Sequence, residues 1–453
     1  MSIEHYEAPV IQKLQGGFMN TYANGNGVRR VCKAIDGVTI DDLVERFGSP
    51  LFVFSEQRIR QQYREVYDAF SRHYPNLTLA WSYKTNYLSA LCAIMHQEGS
   101  IAEVVSDMEY AKARALGIPG DQIIYNGPYK PMPGLERAVC DGAMIQVDHL
   151  DEICDLEALC DKIGRRIRVG LRLNLDAGIF PQWSRFGFNL ESGQALEAVK
   201  RILNGGKLIL QGLHCHIGTF ILDPKAYARQ VEKMVHFAYQ LEEQSGFSVE
   251  YLDLGGGFPS RNRLKATYLP PEVAVPGIGE FAENIGDALY RTLRPGKFPK
   301  LYLEAGRAMI DEAGYLITTI QASKRLVDGT RAYVADAGVN LLFTSFWYKM
   351  AIELDREVQG MSENSVVYGP LCMNLDVIDE GTLLPPLKRG TRLIFNPVGA
   401  YNNTQWMQFI SYRPNVVLIG ENGQVEVIRE AEDLSDVTLR ERLPARLTKG
   451  QSE

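Results

Sequence analysis

The feature that most constrains the fold is a regular alternation of short apolar runs with amphipathic, helix-like segments. Eight strand-like runs occur at residues 79–83, 101–105, 122–125, 143–147, 167–173, 208–215, 249–254 and 300–304. This count predicts an α/β protein built on a closed (β/α)₈ TIM barrel. A doubly wound open sheet has the same alternation and is the competing arrangement.

Beyond about residue 310 the pattern changes to β-branched and aromatic runs separated by frequent turns. These runs are 315–320, 331–334, 365–368, 392–395 and 414–419. They predict a mainly antiparallel C-terminal β domain. The predicted division is a leader (1–28), an N-terminal segment associated with the β domain (29–50), the barrel (51–310), the C-terminal β domain (311–438) and a tail (439–453).

Composition excludes several classes of protein. A net charge of −7 gives no basic surface for nucleic acid, and the sequence contains no apolar run long enough to span a membrane. The N-terminus lacks the basic and apolar regions of a signal peptide. The seven cysteines are scattered without a CxxC pair, which argues against a disulfide framework or a metal site. We therefore expect a cytoplasmic protein without nucleic-acid, membrane or metal partners.

Lys84 directly follows the first predicted barrel strand, in the stretch Leu79-Ala-Trp-Ser-Tyr-Lys-Thr-Asn86. Chemistry in a (β/α)₈ barrel gathers at the C-terminal ends of the strands. An amine desolvated there loses its proton more easily and can attack a carbonyl, as a Schiff-base lysine does. A lone lysine more often extends its ammonium to solvent, so the prediction depends on the other strand ends.

Three later strand ends carry residues that complement such a lysine. The run Gly255–Gly257 lets backbone N–H groups approach a phosphate, although a tight turn without a ligand has the same composition. His216 can stack on an aromatic ring, and Arg307 can bind a phosphate or a carboxylate. Glu304 can pair with a pyridinium nitrogen, or instead with Arg307. Together these residues predict a site for pyridoxal 5′-phosphate (PLP), a cofactor that stabilises the charge left when an α-carboxylate departs as CO₂.

The strand ends belong to six motifs that occur in a fixed order. They are Ser82-Tyr-Lys-Thr-Asn86, Gly212-Leu-His-Cys-His-Ile-Gly-Thr219, Leu252-Asp-Leu-Gly-Gly-Gly-Phe-Pro259, Glu304-Ala-Gly-Arg307, Tyr368-Gly-Pro-Leu-Cys372 and Gly399-Ala-Tyr401. With these motifs, residues 45 to 425 resemble the fold type III PLP-dependent decarboxylases. That family contains diaminopimelate, ornithine and arginine decarboxylases, and its barrel resembles that of alanine racemase.

The resemblance implies roles for these residues. Lys84 would bind PLP covalently, His216 would stack on its ring, and Glu304 would face the ring nitrogen. Cys372 would protonate the substrate carbon after CO₂ leaves, and it would come from the partner subunit of a head-to-tail homodimer. Near the phosphate the resemblance places Thr219, Gly255, Gly256, Gly257, Arg307 and Tyr401, with Arg307 also at the substrate.

Two substrate-binding positions depart from the family pattern. The family has a glutamate or aspartate after the motif cysteine, and diaminopimelate enzymes have an arginine for the distal carboxylate. Here these positions hold Met373 and Thr344, whereas a nearby family tyrosine is retained as Tyr348. A zwitterionic distal end would lack both partners and would bind the transition state weakly. Diaminopimelate is therefore expected to be a poor substrate, and an acylated or carrier-linked amino acid a better one. Candidate residues for that pocket are Phe346, Trp347, Trp406 and Met407.

Two further departures lie beside the predicted lysine site. Glu103 stands where the family often has aspartate. The stretch Asn126-Gly-Pro-Tyr-Lys130 replaces a loop of the His-Gly-Asn type.

The sequence thus predicts a PLP-dependent carboxy-lyase of amino-acid biosynthesis, which acts on an L- or meso-diamino acid or on a conjugated amino acid. One alternative is a diaminopimelate decarboxylase that makes L-lysine. Others are an amino-acid racemase and a PLP-binding homologue without turnover. Racemases on this barrel pair the ring nitrogen with arginine, and inactive relatives lose key residues. Glu304 and Cys372 argue against the former. The latter is disfavoured because the key residues are all present: Lys84, His216, Glu304 and Cys372.

Overall fold

The computed structural model describes residues 31–447 except 266 and 268. The predicted leader at residues 1–28 lies outside the described residues. Among the helices that are described, none is long and apolar enough to cross a membrane.

Eight parallel strands close into a barrel, which confirms the predicted fold and excludes the open sheet. The strands are β1 (Leu77–Ser82), β2 (Ile101–Val104), β3 (Ile123–Tyr125), β4 (Met144–Val147), β5 (Ile167–Asn174), β6 (Leu208–Cys215), β7 (Tyr251–Asp253) and β8 (Lys300–Leu303). Each pairs in parallel with the next, and β8 pairs with β1 to close the barrel. The predicted strand bounds agree with these to within two residues.

Helices surround the barrel and return the chain from one strand to the next. The longer helices are Glu56–His73, Ser89–Gln97, Asp107–Ala115, Met132–Asp141, Leu150–Ile163, Gln194–Gly205, Pro224–Ser245 and Ile278–Thr292. Shorter helices are Ile40–Phe47, Pro271–Ala274, Arg307–Ile310, Asn402–Gln405 and Leu434–Thr438. Ser55 caps the helix that precedes the barrel, because its hydroxyl accepts a hydrogen bond of 3.0 Å from the backbone N–H of Arg58.

A second, mainly antiparallel sheet forms the C-terminal domain, as predicted. Its strands are β9 (Gly314–Arg325), β10 (Arg331–Ala335), β11 (Ala351–Leu354), β12 (Glu363–Tyr368), β13 (Val377–Leu384), β14 (Arg392–Asn396), β15 (Val416–Ile419) and β16 (Val425–Arg429). Only the β10–β12 pair is parallel among these eight described strands. Three two-residue strands occur elsewhere, at Ala34–Ile35, Val38–Thr39 and Phe188–Asn189.

The strand Leu51–Ser55 lies in this second sheet, although the predicted division placed residue 51 at the start of the barrel. It pairs antiparallel with β9 and parallel with β15. All five of its residues are buried, so its hydrophobic pattern does not indicate which sheet it joins. Ile35, Ile40 and Leu43 of the preceding segment pack on the same sheet, in one apolar cluster with Ile317.

The two domains meet beside the chain that follows β1. The Asn86 side-chain amide donates to the carbonyl of Gly399 at 3.1 Å, and the Tyr401 N–H donates to the carbonyl of Thr85 at 2.8 Å. The Thr404 hydroxyl donates to the carbonyl of Lys84 at 2.9 Å. These contacts join a segment of the C-terminal domain to the turn that carries Lys84.

Candidate active site

A cavity of about 500 Å³ opens at the C-terminal ends of the barrel strands, next to the second domain. Eight of the predicted site residues line it: Lys84, His216, Thr219, Glu304, Arg307, Thr344, Tyr348 and Tyr401. The other five, Gly255, Gly256, Gly257, Cys372 and Met373, do not line it. Further lining residues are Glu103, Val105, Asn126, Pro128, Arg172, Trp183, Phe186, Phe220, Leu264 and Trp347. The barrel strands and one segment of the second domain therefore bring most of the predicted site together.

Lys84 lies on a short 3₁₀ turn, Tyr83–Thr85, immediately after β1. Its ammonium donates hydrogen bonds to the Glu103 carboxylate at 2.5 Å and to the Ser82 hydroxyl at 2.7 Å. Ser82 and Glu103 stand opposite each other in the β1–β2 pairing, so their side chains point to the same side of the sheet. The strand register therefore provides the partners of the lysine.

The charge state expected for Lys84 is wrong. Burial alone lowers the pKa of its ammonium, but the carboxylates of Glu103 and Glu304 and the Tyr401 hydroxyl outweigh burial and raise that pKa above its ordinary value. Without a ligand the lysine is an ammonium in an ion pair, rather than a desolvated free amine. The argument from burial failed because it took no account of opposite charges within hydrogen-bond distance.

Glu304 follows β8 and is buried, with 4 % of its surface exposed. One carboxylate oxygen accepts a hydrogen bond of 2.5 Å from the Asn126 amide, and the other lies 3.4 Å from Nε2 of His214. The alternative pairing with Arg307 does not occur, because Arg307 contacts Asp311 at 3.5 Å instead. Asn126 and His214 therefore hold Glu304 at the cavity wall, and no arginine of the described residues pairs with its carboxylate.

The ionisation of Glu304 depends on a neighbouring carboxyl group. Burial raises the pKa of Glu304, but His214, Lys84 and His216 lower it, and the net pKa lies below the ordinary range. Burial and the charge of Glu304 raise the pKa of Asp253 well above its ordinary value. These opposite directions favour the charged form of Glu304 and the protonated form of Asp253.

His214, Asp253 and Glu304 also have the spacing of a metal-binding cluster. Their ligand atoms lie within 4.8 Å of one another, and all three residues are buried. The same carboxylate of Glu304 points to the cavity, so a metal ion here would compete directly with any ligand that needs that charge.

His216 follows β6 and lies beside Trp183, with ring centroids 5.2 Å apart in an edge-on arrangement. Burial first, and then the positive charges of Lys84 and Arg172, lower the pKa of its imidazole to about 3. His216 is therefore neutral at physiological pH and presents a flat, uncharged ring. Its Nδ1 is buried and has no hydrogen-bond partner among the described residues.

The positions after β7 require glycine, because other segments of the chain pass too close to leave room for a side chain. A Cβ atom on Gly255 would lie 2.7 Å from Cβ of His216, and one on Gly256 would lie 2.3 Å from the carbonyl oxygen of Glu304. Gly255 and Gly257 also have φ of +67° and +99°, which side chains disfavour. The loop thus passes directly against the two residues that the resemblance assigns to the cofactor ring.

Arg307 is enclosed by three aromatic rings. Its guanidinium carbon lies 4.8 Å from the ring centres of both Tyr348 and Tyr401 and 5.6 Å from that of Phe220. Only 7 % of the residue is exposed. The rings and Asp311 fix the guanidinium at the cavity, where it can bind an anionic group.

Thr344 reaches the cavity, but its polar atoms are engaged. Its hydroxyl and its backbone N–H both donate to the side-chain oxygen of Asn402, at 3.0 and 3.1 Å. Cys372 is exposed and Met373 is half-buried on the loop between β12 and β13. Of the four apolar residues expected in the pocket, only Trp347 lines the cavity; Phe346, Trp406 and Met407 do not.

Several cavity residues were not assigned a role from the sequence. Glu103 and Asn126 were noted only as departures from a family pattern, although they contact Lys84 and Glu304. Arg172, near the end of β5, contacts Asp148 at 3.6 Å and lies over the Phe186 ring at 4.6 Å. The sequence did contain a signal for Arg172, because this arginine lies near the end of the apolar run 167–173, which was predicted as a barrel strand. In the structure its side chain is buried.

The residues fit a PLP-like ligand. The glycine loop after β7 packs directly against His216 and Glu304, and His216 has an unpartnered ring nitrogen among the described residues. Lys84, the anionic Glu304 and the aromatic-enclosed Arg307 face the same cavity. These are the groups needed to bind an aldehyde, a ring nitrogen and a phosphate.

A comparison with known families decides the assignment. The sequence model of the family described as "Pyridoxal-dependent decarboxylase, pyridoxal binding domain" matches residues 56–311. The chain belongs to the pyridoxal-dependent decarboxylases. The enzymes of this family are carboxy-lyases, and the recognition made from the six motifs is confirmed.

The relatives of this pyridoxal-dependent decarboxylase include diaminopimelate decarboxylases. That of Methanothermobacter thermautotrophicus is 31 % identical over 433 residues, which cover 92 % of this chain and 96 % of the relative. The Bacillus subtilis enzyme is 29 % identical over 424 residues, covering 89 % and 93 %.

Solved structures agree with the fold. Diaminopimelate decarboxylase from M. jannaschii in complex with L-lysine has a TM-score of 0.83 and 26 % identity, covering 93 % of this chain and 99 % of that chain. Lysine/ornithine decarboxylase from Vibrio vulnificus in complex with putrescine has a TM-score of 0.71 and 25 % identity, covering 85 % and 98 %.

Proposed function

We propose that the protein removes the α-carboxylate of a diamino acid, or of a conjugated derivative of an amino acid, with PLP bound at Lys84. The observation that carries this proposal is that Lys84, His216 and Glu304, from three separate strand ends, line one cavity. When bound, PLP withdraws electrons from the substrate α-carbon and so stabilises the charge left by CO₂.

Each cavity residue has a task that follows from its charge. The anionic Glu304 pairs with a protonated ring nitrogen, which an arginine could not do. The neutral His216 packs its ring on the cofactor without repelling it. Arg307 and the glycine loop hold the phosphate, with Thr219 and Tyr401 at the same cavity wall.

The remaining wall is mostly apolar and excludes water from the reacting bond. Trp183, Phe220, Leu264 and Trp347 contribute apolar side chains to the cavity. Low local polarity strengthens the contacts between Glu304 and the ring nitrogen. A carboxylate that is less hydrated also leaves more readily as uncharged CO₂.

The charged groups of the wall are already engaged within the chain. Lys84 pairs with Glu103, Arg172 with Asp148, and Arg307 with Asp311. Glu304 accepts from Asn126. A free ammonium and carboxylate at the distal end of a substrate would therefore find no unpaired opposite charge on the described wall.

The loop that carries Cys372 adds no charge either. Residues 372–375 are Cys, Met, Asn and Leu, and the buried Asp376 is used to accept the N–H groups of Val339 and Leu371 at 2.8 and 2.7 Å. A substrate whose distal amine is masked by acylation or by a carrier fits such surroundings better than a free zwitterion. This supports the conjugated amino acid as the substrate class.

Decarboxylation of meso-diaminopimelate to L-lysine is the second candidate, because the relatives bear that name over nearly the whole chain. Measuring CO₂ release from a panel of substrates, each with added PLP, separates the two candidates. The panel contains L-lysine, L-ornithine, L-arginine, meso-diaminopimelate and several acylated diamino acids. We expect a conjugate to give a kcat/KM at least about tenfold above that of meso-diaminopimelate, because a buried unpaired charge costs at least that factor.

Other outcomes of the panel would contradict the proposal in distinct ways. Turnover of meso-diaminopimelate at a rate typical of a dedicated enzyme would establish the second candidate. Racemisation of a substrate without release of CO₂ would indicate a racemase. Absence of any turnover, with PLP attached at Lys84, would indicate a non-catalytic homologue.

The active unit in this proposal is a homodimer in the reducing environment of the cytoplasm. Cys372 is exposed and lies outside the cavity of its own chain, so it reaches a cavity only from a second subunit. Leu375 on the same loop is 64 % exposed, as expected for a surface that another chain covers. All seven cysteines are free thiols, which suits a reducing compartment.

A further inference from the structure

Asn126 connects the two carboxylates of the cavity. It is the first residue after β3, and only 2 % of it is exposed. Its side-chain nitrogen donates to Oε1 of Glu304 at 2.5 Å and to Oε1 of Glu103 at 3.1 Å. One NH₂ group thus uses its two hydrogens on two different acids.

The second oxygen of each acid is left for a different task. Oε2 of Glu103 accepts the Lys84 ammonium, and Oε2 of Glu304 lies 3.4 Å from His214. In both acids Oε1 is therefore the oxygen that Asn126 holds in place, and Oε2 the oxygen that meets an ionisable group.

The orientation of the amide follows from this network. With the amide reversed, its oxygen would face two carboxylate oxygens, which repel it. With NH₂ toward the acids, both contacts are charge-assisted hydrogen bonds, the stronger kind. The acids therefore select the orientation in which Asn126 donates.

The loop that carries Asn126 is anchored by a buried lysine. Lys130 donates to the carbonyls of Gly127 and Gln146 at 3.0 and 2.9 Å and to Glu152 at 2.6 Å. Its side chain is fully buried, and all three of its donors are used. The Asn126 backbone N–H donates to the carbonyl of Val104 at 2.8 Å. These bonds leave the amide little freedom to move away from the acids.

Two carboxylates beside one ammonium carry an excess of negative charge. A second positive side chain would balance them, but it would also compete with Lys84 for Glu103. A neutral amide instead stabilises both anions through hydrogen bonds and adds no charge. An asparagine at position 126 therefore holds both acids through hydrogen bonds and leaves Glu103 free to pair with Lys84.

We propose that Asn126 is a positioning residue that holds the carboxylates of Glu103 and Glu304 in their orientations, one toward Lys84 and one toward the cofactor ring. This inference rests on the proposed function, because it assigns Glu304 to the ring of PLP. It concerns residues of one chain only and needs no knowledge of the substrate.

The test is an acid titration of the protein with PLP bound, followed by the absorbance of the cofactor. Asn126→Leu removes both N–H donors at similar size, and Asn126→Asp keeps the shape but places a third carboxyl between the two acids. In both variants we expect the acid-induced change in the PLP spectrum to move to higher pH by about one unit or more, because the anions lose donors. Asn126→Asp also serves if Asn126→Leu fails to fold.

Gln230→Met is the matched control. Gln230 is fully buried and its amide also donates twice, to the carbonyls of Cys215 and Leu254 at 2.7 and 3.0 Å, but it does not line the cavity. This variant should lower the melting temperature and leave the spectral titration at the wild-type pH.

Two results would overturn the inference, and they are distinguishable. If both Asn126 variants bind PLP and titrate at the wild-type pH, Asn126 is only structural, and the proposed function stands. If borohydride reduction of the wild-type protein with PLP attaches no cofactor to Lys84, as read by mass spectrometry, the proposed function fails and the inference fails with it.

Discussion

The barrel rim and the loop between β12 and β13 both carry predicted catalytic residues, but only those of the rim line the cavity of this chain. At the rim, Lys84 and Glu304 are hydrogen-bonded and face one cavity. On the loop, Cys372 is exposed and lies outside that cavity. The loop is nevertheless well structured, since Asp376 accepts backbone N–H groups from Leu371 and Val339.

The difference shows two ways in which a chain builds a site. Parallel strands of a barrel end at the same edge, so residues distant in sequence meet through the fold itself. The loop that carries Cys372 lies outside the cavity of its own chain, and in the proposed homodimer it would reach the cavity of a second chain. The predictions below test the rim, then the relation of the loop to the rim, and then the charge state of the rim.

The largest effect is expected from Lys84→Ala. Loss of the covalent attachment and of its proton-transfer capacity should lower CO₂ release by about 10⁴-fold. Borohydride should then no longer attach PLP, as measured by mass spectrometry. Lys300→Ala, at the opposite end of the barrel, is the control and should keep wild-type activity. Retention of substantial activity by Lys84→Ala would remove the rim from the mechanism.

The rim was largely predictable from sequence because its residues end strands. Lys84, His216 and Glu304 each follow an apolar run, and barrel geometry gathers such positions. The partners were not predictable. Glu103 meets Lys84 only because the β1–β2 register sets it opposite Ser82, and a strand register is not visible in a single sequence.

The same limit explains the other differences. The strand Leu51–Ser55 is apolar on both faces, and its partners β9 and β15 lie hundreds of residues away, so local pattern could not place it. The charge state of Lys84 was predicted from burial alone, whereas the nearby charges of Glu103 and Glu304 decide it. Motifs located the residues, and three-dimensional pairing determined their electrostatics.

An intermediate effect is expected from Cys372→Ala, and it tests the comparison directly. The variant should bind PLP and lose activity by about 10²-fold, since it lacks a proton donor. Mixing it with Lys84→Ala protomers should restore activity to about one quarter of the wild-type value, because half of randomly paired dimers contain one intact cavity out of two.

That recovery is the decisive result, and it is measured as CO₂ release after the two variants are unfolded together and refolded. Mixing two preparations of Lys84→Ala is the control and should restore nothing. If the mixed variants stay inactive while dimers form, Cys372 and Lys84 belong to the same protomer's site, and the contrast between rim and loop disappears.

The smallest effect is expected from the neutral His216. Its pKa in the folded protein is about 3, below the ordinary value of 6.5. Between these pH values the unfolded chain binds the extra proton and the folded chain does not, so stability falls as the pH drops through this window. His216→Phe keeps a flat ring without the titration. The apo-protein of this variant should therefore lose less stability than the wild type between pH 7 and pH 4, as measured by the urea midpoint.

His236→Phe, at an exposed position on the helix Pro224–Ser245, is the control and should lose as much stability on acidification as the wild type. If His216→Phe loses as much stability as the wild type over the same range, His216 is solvated and charged in the folded protein. The rim would then carry a further positive group beside Lys84, and the neutral ring assigned to His216 in the proposed function would be wrong.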